Sequence, residues 1–328
     1  MKTARLAFAS CFVAAASQAD ASPVAGRALQ FNGVSQFVTI ADSPELNLGS
    51  AATIEMWVRP FTPFAQYQRL LNKGDGANCD TARALELNIR PTTPELASAI
   101  IGDYFTGSTC DGWLSVGAPH TFGADEWIHV AMTHNAAQSR HRMFVNGVLV
   151  NERVESVTGQ PATSSIRPTP GWPLLLGCYA PNALLYGGQM DEVRIWNSER
   201  TTAEIAASYN VVIPAGSTGL IGCYRFDESV NSQQVVDITA PASSGVLGSD
   251  AAVGFNDPTR VDSSAPLRGC QQDSNGDGVI DAADLSVLLG SFGQAVQVNT
   301  LGDLNADGLV NSADLSVLLG AFGSACGA

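Results

Sequence analysis

Basic residues, aromatic residues and long apolar runs are all scarce in this sequence, and each scarcity excludes a class of protein. Only 17 Lys and Arg stand against 31 Asp and Glu, which gives a net charge of −14 over 328 residues. This charge repels phosphate backbones and anionic lipid headgroups, so we expect no nucleic-acid partner. Beyond the N-terminus no apolar run reaches the roughly 18 residues that span a bilayer, so we expect no membrane insertion. Aromatics at 7%, beside 32 glycines and 16 prolines, favour a turn-rich β architecture.

The N-terminal segment has the layout of an export signal. Lys2 and Arg5 precede the apolar stretch 6–16, and the small residues in 19–21 provide a cleavage site. We therefore expect residues 1–21 to be a signal peptide. The mature protein is then secreted or extracellular, either released or attached to a cell surface through a partner.

Six cysteines remain after the signal peptide, which carries the seventh, Cys11. A lipoprotein anchor at Cys11 is disfavoured because the apolar segment before it is short. An even number of cysteines in an exported chain predicts disulfide bonds, and buried free thiols are the alternative. Six cysteines allow about 15 pairings, of which sequence order and domain boundaries favour Cys79 with Cys110, Cys178 with Cys223, and Cys270 with Cys326.

The C-terminal end differs from the rest of the chain in charge and repeats itself. From Gly269 onward there are seven Asp and no Lys or Arg. A stretch rich in Pro and Ser at 263–266 marks the boundary and divides the mature chain into domains 22–268 and 269–328. The segment DSNGDGVIDAADLSVLLGSFG, which begins at Asp273, returns 30 residues later as DLNADGLVNSADLSVLLGAFG. Such self-similarity indicates one structural unit used twice.

Each repeat places oxygen-bearing side chains at positions one, three, five, nine and twelve of a loop. A glycine follows the third of these ligands, at position six, in both repeats. Together with a main-chain carbonyl at position seven, the side chains form an oxygen set of the kind that calcium binds. Without the ion, crowded carboxylates would repel one another, so we expect ion binding to stabilise the fold. The sequence predicts two calcium ions, held by Asp273, Asn275, Asp277, Val279, Asp281 and Asp284, and by Asp303, Asn305, Asp307, Leu309, Asn311 and Asp314.

A leucine-rich helix is predicted after each loop. Apolar residues recur at i, i+3, i+4 and i+7 from Leu285 to Phe292, and again from Leu315 to Phe322. We expect these two stripes to face each other. Pro266 leaves no room for an entering helix, so each repeat is a loop with an exiting helix only.

The C-terminal domain, residues 269–328, which we call the tail, resembles dockerin type I domains. These are small, all-α and built from two such calcium loops (a paired F-hand). The resemblance rests on the absent entering helices, on Asp in place of Glu at position twelve, and on the flanking cysteines. It implies docking onto a cohesin domain of another protein through the positions just after the ninth ligand, Ala282, Ala283, Ser312 and Ala313. The alternative is a calcium-stabilised end cap without a partner.

Residues 22–268 show alternating segments and turn signals in place of long helical patterns. Residues 53–59 (TIEMWVR) alternate between the two faces of a strand, and Asn146-Gly147 predicts a type I′ hairpin. Residues 202–209 are the one segment that predicts a short helix. The region is therefore expected to be mainly β, a two-sheet antiparallel sandwich.

Several phrases in this region resemble laminin G-like jelly-roll domains of the concanavalin A-like lectin and glucanase superfamily. They are ALQFNGVSQFVTI, SAATIEMWVRP, EWIHVAMTH, RMFVNGVLV, GGQMDEVRIWNSERTTAEIAASYN, GLIGCYRFDES and DPTRVDSSAPL. The resemblance implies a jelly roll. It constrains the fold more than the ligand.

Catalytic motifs are missing. Hydrolases with this fold usually carry a Glu-apolar-Asp-x-x-Glu run, which places two carboxylates on one face of a strand, and none occurs here. Asp191 and Glu192 are adjacent, so they are expected to point to opposite faces. The four histidines, His120, His129, His134 and His141, show no metal-binding spacing. We therefore expect a protein without catalytic activity, and a glycoside hydrolase with catalytic residues on loops is the alternative.

Carbohydrate binding needs no catalytic pair of side chains. Sugar rings stack on aromatic side chains, and polar groups bind the sugar hydroxyls. Candidate residues are Trp113 and Tyr186 in loop-like sequence, and Glu55, Trp57 and Arg59 on one strand face, although Trp57 also suits a packed core. The sequence thus predicts a secreted binding protein. Its jelly roll binds a polysaccharide or glycoprotein, and its tail docks to a cohesin-type partner. A structural spacer with neither ligand is a further alternative.

Overall fold

The computed structural model describes residues 26–62, 66–74, 83–90, 95–101, 113–123, 125–154, 165–181, 183–239, 243–267, 269–275, 279–296, 301–305 and 307–324. The strands in these ranges are β1 (Arg27–Asn32), β2 (Val38–Ile40), β3 (Ala51–Pro60), β4 (Gln68–Gly74), β5 (Arg83–Arg90), β6 (Glu95–Ile101), β7 (Trp113–Pro119), β8 (Ile128–Asn135), β9 (Arg140–Val145), β10 (Val148–Val154), β11 (Leu174–Leu176), β12 (Gly187–Trp196), β13 (Leu220–Tyr224), β14 (Gln234–Val235), β15 (Gly245–Leu247) and β16 (Thr259–Asp262). The helices in the same ranges are α1 (Thr202–Ser208), α2 (Ala282–Gly290) and α3 (Ser312–Gly320).

The strands form two antiparallel sheets. Sheet A has the order β10-β9-β8-β3-β12-β1-β16, with β13 also paired to β12, and sheet B has the order β14-β15-β2-β11-β4-β5-β6-β7. β16 pairs with β1, so the closing part of the first domain is a strand of sheet A. The predicted mainly β, two-sheet antiparallel sandwich is confirmed.

The core lies between the sheets and follows the predicted alternation. Ile54, Met56 and Val58 of β3 pack in the same buried cluster as Leu85 and Leu87 of β5. Because successive strand residues point to opposite faces, every second residue of each strand points away from this core. The outer faces of the two sheets are therefore the places where polar chemistry can lie.

Local structure also follows the sequence signals. Asn146 and Gly147 join β9 to β10 with φ values of 47° and 78°, the positive values that a type I′ turn requires. α1 begins with a capping box in which the Thr201 side chain accepts from the Glu204 N–H, while the Glu204 side chain accepts from the Thr201 N–H.

The tail contains the two predicted exiting helices, but their leucine stripes only partly face each other. Leu288 and Leu318 are buried in one cluster, against which Leu285 and Leu315 pack. The next side chains in each stripe are exposed instead: Leu289 by 54%, Phe292 by 46%, Leu319 by 55% and Phe322 by 45%. Helices of nine residues offer only about two turns of contact, so one side of each stripe stays in solvent.

The predicted bridge between Cys178 and Cys223 is wrong, because both are buried free thiols. Cys178 packs with Leu175, which points away from the core of sheet B. Cys223 packs with Trp196 and Leu220, away from the core on sheet A. The sandwich core therefore separates the two sulfurs.

The remaining cysteines belong to two predicted bridges. Cys270 is disulfide-bonded, while its predicted partner Cys326 lies outside the described residues, so that pairing stays a prediction. Cys79 and Cys110 also lie outside them. In the part of the chain that is described, no helix is long and apolar enough to cross a membrane.

We expect Cys178 and Cys223 to resist alkylation in the folded protein and to react once it is unfolded without reductant. Burial raises the pKa of each thiol to about 12, so neither supplies thiolate near neutral pH. Peptide mass spectrometry after iodoacetamide treatment measures this, with Cys270 as the residue that needs reductant. A peptide pair linked through Cys178 and Cys223 would contradict the assignment.

Candidate functional site

The outer face of sheet A, where Glu55, Trp57 and Arg59 were expected to bind a ligand, is covered by other parts of the chain. The three side chains do point away from the core, as the alternation predicts. However, Trp57 donates from Nε1 to the Tyr209 carbonyl at 3.0 Å and packs with Ala265 and Leu267. Glu55 and Trp57 are therefore buried. The predictions that Glu55 and Trp57 line a ligand site on an open sheet face are both wrong, because α1 and the closing segment (residues 263–267) occupy that face.

Arg59 is the half-buried member of this set. Its guanidinium lies at the end of β3, where it pairs with Asp125 at 3.0 Å and donates to Gln189. These contacts use two of its nitrogens, while Nε has no hydrogen-bond partner.

A group of buried ionisable side chains lies beneath α1. Glu55 Oε1 lies 2.7 Å from Arg200 Nη1, and Glu55 Oε2 lies 3.4 Å from His129 Nε2. Burial alone would raise the pKa of Glu55, but Arg200 and His129 lower it by more, so the group stays ionised. Burial lowers the pKa of His129. An ionised acid and a neutral base without solvent access are suited to holding α1 in place and not to acid–base catalysis.

Asp191 and Glu192 do not point to opposite faces as predicted. A register shift between β12 and β3 accompanies a φ of 47° at Glu192, and this bulge turns both carboxylates outward. Asp191 accepts from the Ser263 hydroxyl at 2.5 Å, whereas Glu192 pairs with Arg194 at 3.0 Å. Burial, followed by the charge of Glu192, raises the pKa of Asp191 well above its ordinary value. Both groups are buried, so they form no accessible catalytic pair.

The two loop aromatics differ from expectation in different ways. Tyr186 is buried in the sandwich core and donates its hydroxyl proton to the Gln189 carbonyl at 2.9 Å, so its prediction as a ligand-binding residue is wrong. Trp113 begins β7, and its side chain lies outside the described part of the structure.

The outer face of sheet B carries a cluster of polar side chains that the sequence did not single out. Arg69 is paired in register with Asn88, and Asn72 with Glu86, across β4 and β5. All four side chains point away from Leu85, Leu87 and Ile89, which line the core. We call Arg69, Asn72, Glu86 and Asn88 the sheet B cluster.

The sheet B cluster is buried but incompletely hydrogen-bonded. Arg69 and Glu86 form an ion pair, and Asn88 donates from Nδ2 to Glu86 Oε1 at 3.2 Å. Asn72 donates from Nδ2 to two main-chain carbonyls. Asn72 Oδ1, Asn88 Oδ1 and Arg69 Nε have no hydrogen-bond partner. Unsatisfied buried polar atoms are rare in folded proteins, and we take this group of three as a candidate binding site. Glu55 Oε2 and Arg59 Nε on sheet A also lack a hydrogen-bond partner.

Two aromatic rings border the cluster. The Arg69 guanidinium lies 5.0 Å from the ring centre of Tyr179 and 5.9 Å from that of Tyr67. Both tyrosines are half-buried. The alternation of Glu86 and Asn88 with leucines in β5 is the sequence signal that marks this face, but it does not distinguish a binding face from a solvated one.

The tail loops hold the second candidate site. Asp281 and Asn311, at loop position nine, cap the N-termini of α2 and α3. The aspartates at positions one and twelve are completely buried: Asp273, Asp284, Asp303 and Asp314. Ala282, Ala283, Ser312 and Ala313, the expected partner-contacting positions, are exposed at the first turns of the helices.

Main-chain N–H groups surround the buried carboxylates in both loops. Asp284 Oδ1 accepts from Ser274 at 2.7 Å and Asn275 at 3.1 Å, and Asp314 Oδ1 accepts from Leu304 at 2.8 Å and Asn305 at 3.1 Å. Asp303 accepts through both oxygens, from the N–H groups of Asp307 and Gly308.

These loops offer hard oxygen atoms, the ligand type that calcium prefers, on four shielded carboxylates. Among the described residues, however, no three His, Cys, Asp or Glu side chains lie together in an arrangement that could hold a metal ion. Asp277 lies outside the described residues, and the Asn305 side chain donates to Asp307. The donor chemistry therefore fits calcium. In the present arrangement the carboxylates accept hydrogen bonds from main-chain N–H groups at the helix N-termini and within the loops.

The histidines form no metal site in the described ranges. His134 and His141 face each other across β8 and β9 with ring centres 6.0 Å apart, and both are buried. Burial, with the nearby His134, lowers the pKa of His141 to about 3.

We expect this histidine to make the fold sensitive to acid. Because unfolded His141 titrates near pH 6.5, the unfolded chain binds an additional proton as the pH falls from about 6.5 toward 3, and stability declines by up to ~1.4 kcal/mol per pH unit. His141→Phe should remove this part of the pH dependence, measured by urea unfolding between pH 7 and 4. His120→Phe is the comparison: His120 is half-buried and burial lowers its pKa as well, so this variant should remove a smaller part of the pH dependence. Identical slopes for wild type and His141→Phe would contradict the burial argument.

Comparison with known proteins gives one family match. Residues 32–206, more than half of the chain, match the Laminin G 3 family model, described as concanavalin A-like lectin/glucanases superfamily. No curated protein is detectably similar in sequence.

Solved structures share the sandwich at low sequence identity. A candidate carbohydrate-binding protein from Bacteroides ovatus superposes with a TM-score of 0.52 at 18% identity, covering 74% of this chain and 61% of that protein, less than two thirds of its length. The CBM40 of the IT-sialidase from Ruminococcus gnavus, bound to α2,3 sialyllactose, gives 0.43 at 16% identity over 57% of this chain and 99% of that one. A SAP-like pentraxin from Limulus polyphemus gives 0.43 at 12% identity, over 73% and 100%. The first likeness supports the two-sheet fold, and the other two, below 0.5, add nothing to it.

Proposed function

The chain belongs to the concanavalin A-like lectin/glucanases superfamily, and we propose from this premise that its jelly roll binds a glycan through the sheet B cluster. The observation that carries the proposal is the set of three unpartnered polar atoms, Asn72 Oδ1, Asn88 Oδ1 and Arg69 Nε, on the outer face of one sheet. The protein is then a secreted binding protein and not an enzyme.

The chemistry of the cluster matches a ligand that carries hydroxyl groups. All three atoms are buried, so binding requires the cluster to open locally. The two amide oxygens would then accept hydroxyl protons, and Arg69 Nε would donate to a ring or hydroxyl oxygen. Glu86 keeps the Arg69 guanidinium in place through their ion pair. The half-buried rings of Tyr67 and Tyr179 offer faces on which the CH surface of a sugar stacks.

Energetics favour the same conclusion. A buried polar atom without a partner costs about 1–3 kcal/mol, so a fold that keeps three of them together is less stable than it need be. A ligand that completes these hydrogen bonds recovers part of this cost on binding.

We expect Asn88→Leu to weaken glycan retention at least tenfold while changing stability by no more than about 1 kcal/mol, because it removes one hydrogen bond and one unsatisfied atom together. Affinity electrophoresis on a polysaccharide panel, followed by calorimetry on the best ligand, measures retention. The control is Asn151→Leu, which changes an exposed amide on β10. Equal loss in both variants, or none in Asn88→Leu, would exclude the cluster as the site.

The same panel tests the rival function. A glycoside hydrolase would release reducing ends, and a spacer would neither release nor retain sugar. Retention without release is the result that the binding proposal requires. It also matches the sealed position of Asp191 and Glu192, which cannot reach a substrate from beneath the closing segment.

For the C-terminal domain we propose a dockerin-like role that depends on two calcium ions. Asp273, Asn275, Asp277, Asp281 and Asp284, with the carbonyl of Val279, would hold one ion. Asp303, Asn305, Asp307, Asn311 and Asp314, with the carbonyl of Leu309, would hold the other. What supports this is the donor chemistry of the loops and the buried state of their four end carboxylates. Calcium would supply the positive charge that these carboxylates lack, since the tail has no Lys or Arg.

Docking to a cohesin-type partner would use the exposed side of α2 and α3. Leu289 lies two turns after Ala282 on the same helical face, and Leu319 lies in the same relation to Ser312. The two leucines have nearly equal exposed fractions, 54% for Leu289 and 55% for Leu319. A partner would therefore meet small residues at the start of the helix and apolar ones at its end.

We expect EGTA to reduce the helical circular dichroism of the full-length protein and calcium to restore it. The titration must reach millimolar calcium, because extracellular loops of this type can have dissociation constants of ~10⁻⁴–10⁻³ M. Asp307→Ala should remove one of two binding events in calorimetry, and Asp262→Ala, on β16, should leave both. Spectra that ignore EGTA and calcium would contradict the metal role. Calcium binding without capture of a cohesin domain would leave the end cap as its function.

A further inference from the structure

The most exposed apolar side chains of the described residues lie together at one end of the sandwich. Val253 is exposed by 83%, Phe255 by 80% and Val34 by 73%. Val34 lies in the turn between β1 and β2, and the other two lie in the loop between β15 and β16. We call these three residues the apolar tip.

Hydrogen bonds hold the two segments side by side. Ser35 donates from Oγ to the Phe255 carbonyl at 3.1 Å, the Phe37 N–H donates to the Asn256 carbonyl at 3.1 Å, and Gln36 donates from Nε2 to the Asp257 carbonyl at 2.7 Å. These three contacts join residues more than 200 positions apart in sequence. The tip is thus assembled by tertiary structure from two loops.

Each segment is also braced internally. Asn32 Oδ1 accepts from the N–H groups of Val34 and Ser35, at 2.9 and 3.0 Å. In the other loop, the Gly254 N–H donates to Asp257 Oδ2 at 2.6 Å and the Ala252 N–H to Asp250 Oδ1 at 2.8 Å. Valine and phenylalanine are therefore presented to solvent on ordered backbone, so little conformational entropy is lost when a partner covers them.

Two further apolar side chains flank the tip. Phe61 is exposed by 40% and Leu184 by 36%. Their segments connect to the same end, because the Phe61 N–H donates to Gly187 and the Gly33 N–H donates to Tyr186. The three residues of the apolar tip already exceed the scattered single residues of an ordinary surface, and such groupings mark interaction sites.

The charge around the tip restricts what can cover it. The two segments, 32–37 and 249–257, contain Asp250 and Asp257 but no Lys or Arg. A second copy of the chain would bring like charges together, and an anionic membrane would be repelled. Sugars can stack on Phe255 but gain little from the aliphatic surfaces of Val34 and Val253.

We propose that the apolar tip binds a polypeptide segment in which apolar side chains alternate with Lys or Arg. Val253 and Phe255 fill apolar space on the partner, and the basic residues approach Asp250. Asp257, whose Oδ1 is buried and whose Oδ2 accepts from the Gly254 N–H, adds its negative charge from within the loop. Complementary charge then selects the partner and speeds its association. This site is separate from the sheet B cluster and from the tail, so the protein has an additional protein-binding surface beside its glycan and calcium chemistry.

Fluorescence anisotropy with three labelled synthetic peptides tests the proposal on the full-length protein. One peptide combines leucine with lysine, the second leucine with glutamate, and the third serine with lysine. The leucine–lysine peptide should bind at least tenfold more tightly than the other two, and Val253→Ser with Phe255→Ser should weaken it at least tenfold. Val148→Ser with Val154→Ser is the matched control, since both valines are exposed on β10, and it should bind like wild type.

Several results would overturn the proposal. They are equal binding of the lysine and glutamate peptides, equal binding by the tip variant and wild type, or absence of saturable binding. Tip-dependent binding to phosphatidylcholine vesicles in place of the peptide would assign the surface to lipid instead. Glycan retention by the tip variant should match wild type, and melting temperature confirms that both double variants are folded.

Discussion

Burial of polar groups on the outer face of sheet A is the constraint on which the rest of the molecule depends. Trp57 binds the carbonyl of Tyr209, and Glu55 pairs with Arg200, so α1 and the closing segment are fixed over that face. A buried ion pair is weak support for stability, but removing one partner would leave the other uncompensated. Around Glu55 and Trp57 this face is consequently covered by the chain itself.

The outer faces of both sheets bury polar side chains, and both leave some polar atoms without a hydrogen-bond partner. On sheet A, Arg194 reaches the carbonyls of Ser208 and Val211 as well as Glu192, whereas Glu55 Oε2 and Arg59 Nε have no hydrogen-bond partner. On sheet B, Asn72, Asn88 and Arg69 retain unpartnered atoms. The half-buried rings of Tyr67 and Tyr179 beside Arg69 are what distinguishes the sheet B cluster from the outer face of sheet A.

The tail shows how duplication shapes a surface. Repeated sequence gives repeated caps at Asp281 and Asn311 and repeated buried aspartates at position twelve. It also exposes equivalent leucines, because two short helices cannot cover both stripes. Each helix therefore presents an apolar side chain, Leu289 or Leu319, toward solvent.

The sequence by itself determined the alternation of β3, the Asn146-Gly147 hairpin, the capped α1 and the repeated loops with their exiting helices, because these depend on neighbours within a few residues. It did not determine which strand face would be covered, so Glu55, Trp57 and Tyr186 were placed at a surface that they do not reach. Only tertiary structure brought Arg69 and Asn72 beside Glu86 and Asn88, set Cys178 and Cys223 on opposite sides of the core, and joined Val34 to Phe255. Such pairings depend on sheet order and strand register, and a side-chain periodicity of two carries no information about either.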